Sequence, residues 1–223
     1  METQTMHAIF IHGLGRTPLS GLPLLMTLRR AGIRCHVLGY LAATESVESI
    51  ANRLAAKINA LGPNAPYVLI GHSLGGVISR YLLTGPNPPV NLPKMLFLLG
   101  SPVNPSRLAA RLQPRLLFRL FSGDAGQLLG SKERMAAIGA PSEQLNIPCC
   151  AFIGTRGIST AGRTLPPFYG ESNDGVVALS EVTAPWLMDE ALCEQVEIAL
   201  PHTLLPSSSA IGKAILMRLE RFN

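Results

Sequence analysis

The stretch Gly71-His72-Ser73-Leu74-Gly75 follows the apolar run Tyr67-Val68-Leu69-Ile70 directly. It leads into Gly76-Val77-Ile78-Ser79-Arg80-Tyr81-Leu82-Leu83, which reads as a helix. A buried strand, a sharp turn with serine at its apex and then a helix is the arrangement that presents a nucleophilic hydroxyl. Glycines at 71 and 75 remove the Cβ atoms that would clash where strand and helix nearly touch. The first amide of the new helix is left to face a substrate. The bare G-x-S-x-G pattern says little by itself. The flanks give it weight, because an ordinary helix N-cap serine needs neither flanking glycine nor a preceding strand. Ser73 is the candidate nucleophile.

Outward from this turn, short apolar runs alternate with helical periodicity, the signature of a parallel α/β sheet. Strands are expected at about 7–12, 33–39, 66–71, 94–100, 148–154 and 194–200. Helices are expected at about 19–31, 45–61, 74–84 and 207–221, and a further helix from Trp186 to Leu192. The 223 residues suit a single domain, 1–223. Hydrophobic residues make up 47% and charged residues 15%, which fits strands buried on both faces.

The segment 104–145 breaks the rhythm and is too long for a simple crossover. Leu108, Leu112, Leu116, Leu117 and Leu120 share one side, and Arg107, Arg111, Arg115 and Arg119 recur every four residues on another. Pro114 is expected to kink or split this helix. Two readings stand: a surface helix covering the core, or a mobile cap over the site that rests on lipid.

Nineteen Lys+Arg face fourteen Asp+Glu. No nucleic-acid motif accompanies this charge, so an anionic lipid surface or acidic substrate fits better than nucleic acid. Cys35, Cys149, Cys150 and Cys193 show no metal-ligand spacing. They point to reduced, buried thiols and a cytoplasmic protein, with peripheral membrane contact through the basic cap left open. The first residues, Met1-Glu2-Thr3-Gln4-Thr5, lack the cationic region of a leader, and no apolar run is long enough to span a bilayer.

A serine needs a base. His7, His12, His36 and His72 lie in strands or beside tight turns. His202 follows the last apolar run, at the end of a parallel strand, and is the candidate base. The base needs an acid partner. Asp124 falls in the insertion and Asp189 in the expected helix, whereas Asp174 sits in Glu171-Ser172-Asn173-Asp174-Gly175, between the fifth strand and His202. Asp174 is the candidate, Glu171 the reserve. The order Ser, Asp, His is the expected one. Oxyanion donors are expected at the N–H of Leu74 and, from the loop His12-Gly13-Leu14-Gly15-Arg16, at that of Leu14.

With these motifs, and with Leu99-Gly100-Ser101-Pro102 and Asn173-Asp174-Gly175-Val176-Val177, the chain resembles the α/β-hydrolase family, within it the bacterial triacylglycerol lipases and esterases and the inositol-deacylase-like hydrolases. The resemblance implies a minimal, mostly parallel six-stranded sheet with helices on both faces and a helical cap insertion. It also implies a Ser73–Asp174–His202 triad and an acyl-enzyme. Secreted relatives often carry an acidic calcium ligand just after the histidine. Pro201-His202-Thr203-Leu204-Leu205-Pro206 has none, so neither metal nor cofactor is expected. The expected activity is hydrolysis of carboxylic esters, with a lipid or other apolar acyl ester as substrate and with Leu116, Leu117 and Val176 against the acyl chain. An acyltransferase or thioesterase using the same triad, or a catalytically silent lipid-binding protein, are the alternatives.

Overall fold

The β-branched and apolar runs pair as a single open sheet. The computed structural model describes residues 5–157, 159–160, 163–164 and 166–222; the first four residues, read above for a leader, lie outside it. The strands of this sheet are β1 (His7–Ile11), β2 (Arg34–Leu38), β3 (Tyr67–His72), β4 (Met95–Leu99), β5 (Cys149–Gly154) and β6 (Cys193–Ile198), and Ser159–Thr160 pairs antiparallel with Arg163–Thr164 outside it. Their order is β2-β1-β3-β4-β5-β6, all parallel. Each expected strand is present within one or two residues.

The central strands β3, β4 and β5 are buried along their whole length, while the edge strands β2 and β6 are partly exposed. Alternation then divides each strand between two cores. Ile9, Ile11 and Leu69 face α2 (Val47–Asn59) and α3 (Leu74–Thr84). Ala8, Phe10 and Val68 face α1 (Leu22–Arg30) on the other side. Cys149 and Cys150 fall on opposite faces, and all four cysteines are free thiols.

The segment 104–145 is helical: α4 (Arg107–Leu112), α5 (Leu116–Gly130), α6 (Lys132–Ala136) and α7 (Pro141–Leu145). Pro114 does split the leucine-rich run. A second break falls at Gly123, whose φ of 52° and missing Cβ let α5 press against the Ala42 carbonyl. Here Asp124 caps the start of α2 through the Val47 N–H (2.9 Å) and pairs with Arg134 (2.8 Å). The single leucine face expected from the sequence is therefore not continuous. Leu108 and Leu112 are half-buried, but Leu116 and Leu117 are 68% and 69% exposed.

A short α8 (Leu179–Val182) and the long α9 (Ser209–Leu219) complete the layers, α9 packing beside α1. The helix expected from Trp186 to Leu192 is absent. Pro185–Met188 makes one 3₁₀ turn, and the Asp189 carboxylate accepts the Ala191 N–H (3.0 Å), a local bond that competes with helix. Among the described residues, no helix is long and apolar enough to cross a membrane.

Candidate active site

Ser73, Asp174 and His202 each follow the carboxyl end of a parallel strand, which puts them at one edge of the sheet. Ser73 has φ 52° and ψ −119°, a conformation that L-residues avoid and that surrounding contacts must hold. Its N–H donates to Leu99 O (2.9 Å) and its carbonyl accepts from the Ser101 hydroxyl (2.7 Å). The two flanking glycines are required by space. A Cβ on Gly71 would lie 2.3 Å from Gly76 N, and one on Gly75 would lie 2.1 Å from Ile11 O.

His202 Nδ1–H donates to Asp174 Oδ2 at 2.6 Å, and its backbone N–H donates to the Asp174 carbonyl at 2.9 Å. The other carboxylate oxygen accepts from the N–H groups of Val176 (3.0 Å) and Val177 (2.9 Å). Asp174 is thus held as an acceptor on both oxygens, and His202 keeps Nε2 available as a base. Glu171 is engaged elsewhere, with Arg107 (2.5 Å) and the Ser180 N–H (2.8 Å). Burial raises its pKa, but the bonds from Ser180 and Arg107 outweigh this and hold the carboxyl below its ordinary range. Arg107 also meets Glu181 at 3.3 Å, so the cap is tied to the segment that carries Asp174.

Beside the serine, His72 is fully buried, and burial followed by the nearby His202 charge pushes its pKa well down. It stays neutral and donates Nε2–H to the His202 carbonyl (3.1 Å). His12 braces the first loop. Its Nδ1–H donates to Gly13 O (2.9 Å), its ring stacks on Tyr40 at 4.1 Å, and the Tyr40 hydroxyl donates to His12 O (2.6 Å). Gly13 cannot carry a side chain, because a Cβ would lie 2.9 Å from His72 Nδ1. His7 and His36 lie away from the site, stacked on each other where β1 meets the edge strand β2.

A cavity of about 190 Å³ opens at Ser73 and His202. Leu14 and Val176 line it, as do Leu108, Leu112 and Phe118 from the cap. Leu116 and Leu117 do not. Pro114 and the turn after α4 reset the helical phase, so Phe118 rather than the two leucines points inward. Leu74 opens α3, and its N–H has no acceptor within the helix. Sequence reasoning also missed Tyr40 and the brace from Ser101. Ser101 lies in a quoted motif, but Tyr40 carries no local signal. Among the described residues, no cluster of three or more His, Cys, Asp or Glu side chains is placed to hold a metal.

An open parallel sheet bearing a strained serine turn, with an aspartate–histidine pair at the same edge, defines the class as an α/β-hydrolase fold. The Alpha/beta hydrolase family model matches residues 8–210, and the chain belongs to that family. No curated protein sequence matches the chain. Among solved structures, it is similar to the mature Bacillus licheniformis lipase BlEst2, at 16% identity and TM-score 0.72, covering 98% of this chain and 93% of that one. The metagenomic carboxyl esterase MGS0156 matches at 14% identity and TM-score 0.71, covering 100% and 78%. A thioesterase domain from the curacin biosynthetic pathway matches at 13% identity and TM-score 0.61, covering 96% and 91%. At these identities the likeness establishes the fold alone.

Proposed function

We propose that the protein is a serine hydrolase of carboxylic esters with an apolar acyl group. The observation that carries this reading is the 2.6 Å His202–Asp174 bond at the sheet edge where Ser73 is held in its strained turn. His202 Nε2 takes the Ser73 proton as Oγ attacks the carbonyl, and Asp174 stabilises the imidazolium that results. The N–H groups of Leu14 and Leu74 receive the oxyanion. Collapse expels the alcohol, protonated by His202, and water activated by the same nitrogen then releases the acid.

The acyl group lies in the cavity under the cap. A 150 Å³ apolar cavity seats a benzene ring, so about 190 Å³ leaves room for a short alkyl chain. The apolar lining supports an alkyl substrate over a polar one.

The test is Ser73→Ala. It should abolish turnover of p-nitrophenyl hexanoate and labelling by a fluorophosphonate while leaving the circular dichroism spectrum unchanged. Near-normal turnover in the variant would remove the mechanism. A folded wild type that the fluorophosphonate fails to label would favour a catalytically silent binding protein. Acyl product appearing on an added alcohol or derived from a thioester, rather than in water from an oxygen ester, would favour the acyltransferase or thioesterase reading.

A further inference from the structure

Among the described residues, Arg16 is the one arginine or lysine that lines the cavity. The first loop closes as a turn, with Arg16 N–H donating to Gly13 O at 3.2 Å and Gly15 at φ 65°. This turn, braced by His12 and Tyr40, carries the Arg16 side chain to the wall shared with Ser73, His202 and Thr203. There Arg16 Nη2 donates to the Thr203 carbonyl at 3.2 Å. That is a neutral partner, and a guanidinium has five N–H donors.

Among the described residues, no carboxylate lies within ion-pair distance of Arg16, whereas Arg53, Arg107, Arg134 and Arg218 each meet one. No Asp or Glu lines the cavity. Among the described residues, this partly buried cation therefore meets a neutral carbonyl and no counter-charge. Exposed Arg111, Arg115 and Arg119 on the cap, also without acid partners among the described residues, add positive potential.

An alkyl chain offers the guanidinium head of Arg16 no hydrogen bond, although both share one cavity. Arg16 stands in the loop after β1 and reaches Thr203 in the segment after β6, whereas the acyl wall is built largely by the cap and Val176. We propose that Arg16 binds an anionic group on the alcohol half of the substrate, so that the substrate class is an apolar acyl ester of an alcohol bearing a carboxylate or phosphate. This rests on the ester-hydrolase reading and deepens it. Arg16 is a specificity residue rather than a proton carrier, and its fork geometry matches the two oxygens of such an anion.

Two matched pairs of probes test it. The first is 4-(hexanoyloxy)benzoate against its methyl ester, which differ in one charge. The second is hexanoyl glycerol phosphate against hexanoyl glycerol. The wild type should favour the charged member in kcat/KM by roughly tenfold or more, chiefly through KM. Arg16→Gln should bring the ratio close to one, and Arg16→Lys should keep part of it. A preference confined to the benzoate pair identifies a small organic acid as the alcohol; one that extends to the phosphate pair identifies a lipid headgroup. No charge preference in the wild type, or an unchanged ratio in a folded Arg16→Gln, overturns the proposal.

Calorimetric titration of the same probes into Ser73→Ala separates this idea from the one beneath it. If the wild type cleaves none of the esters, yet Ser73→Ala binds the charged probes more tightly and adding Arg16→Gln erases the difference, the anion site stands and the hydrolase reading falls. Cleavage without charge preference has the opposite meaning.

Discussion

His202 touches Asp174 twice: its ring Nδ1 lies 2.6 Å from Oδ2, and its backbone N–H lies 2.9 Å from the Asp174 carbonyl oxygen. The first contact sets the tautomer and the second sets where the ring starts from.

Asp174→Asn should keep the backbone contact and spoil the ring contact. An amide that presents N–H to Nδ1 favours the tautomer with its proton on Nε2, which cannot accept from serine. The expected loss in kcat is roughly 10²–10⁴, with little change in KM. Glu171→Gln should cost far less, since that carboxylate serves Arg107 and Ser180. Parallel steady-state kinetics on a hexanoyl ester decide the matter, and a crippled Glu171→Gln beside a healthy Asp174→Asn would move the acid to Glu171.

Gly100→Ala should disturb the same pair from beneath. Gly100 has φ 54°, and a Cβ there would lie 2.7 Å from Leu205 Cδ1 and 3.1 Å from both Asp174 Oδ2 and His202 Nδ1. Stability should fall by about 1–3 kcal/mol from backbone strain, and kcat should fall at least tenfold. Urea unfolding and kinetics on one preparation measure both, and an unchanged kcat would show that the pair has slack.

The cap carries two sets of apolar side chains, one lining the cavity and one exposed. Leu112→Ala and Phe118→Ala should weaken octanoyl esters far more than acetyl esters, on the scale of about 0.8 kcal/mol per methylene sequestered. Leu116→Ser with Leu117→Ser should leave that chain-length ratio alone. These two leucines, with Leu120 and Phe121, lie exposed beside Arg111, Arg115 and Arg119, an arrangement suited to an anionic bilayer surface. Their double variant should instead reduce sedimentation with phosphatidylglycerol vesicles, which added salt should also weaken. Vesicle binding equal in both proteins would confine the cap to substrate.

Acid should loosen the fold as the pH falls below the ordinary histidine value of about 6.5. Burial, and then the His202 charge, hold the pKa of His72 well below 6.5, and burial likewise lowers His7, His12 and His36. Between the folded and unfolded values the unfolded chain binds more protons. The stability these histidines contribute is therefore full above about pH 6.5 and declines as the pH falls, most steeply through the fully buried His72, at up to about 1.4 kcal/mol per pH unit, and far less through the solvent-screened His7 and His36. Urea midpoints between pH 5 and 8 should show this decline, and His72→Gln should make it shallower. A midpoint that rises on acidification would contradict the sign.

The sheet was legible because strands buried on both faces leave uninterrupted apolar runs, and glycine and proline mark their ends. The strained turn at residue 73 was legible because it demands glycines at 71 and 75, a local requirement. Asp174 and His202 could be read from their position after strands, although nothing in the sequence measures the bond between them. The cap misled for a definite reason. Leucines and arginines keep a period of four across residues 107–120, but the chain does not continue as one helix through Pro114, so Leu116 and Leu117 turn outward while Phe118 turns in. Tyr40 and Ser101 act on residues 28 positions away in each case, a kind of contact that local pattern cannot reveal.

On the proposed reading of Ser73 as nucleophile, its positive φ sets activity against backbone strain. Glycine accepts that conformation freely, so Ser73→Gly should raise stability by about 1 kcal/mol, after its greater freedom in the unfolded chain is subtracted, while removing the proposed nucleophile. A library screened only for heat resistance would then enrich the dead enzyme over the living one. Thermal ranking of natural variants at this position would read fitness backwards, and only a selection that scores turnover would retain the serine.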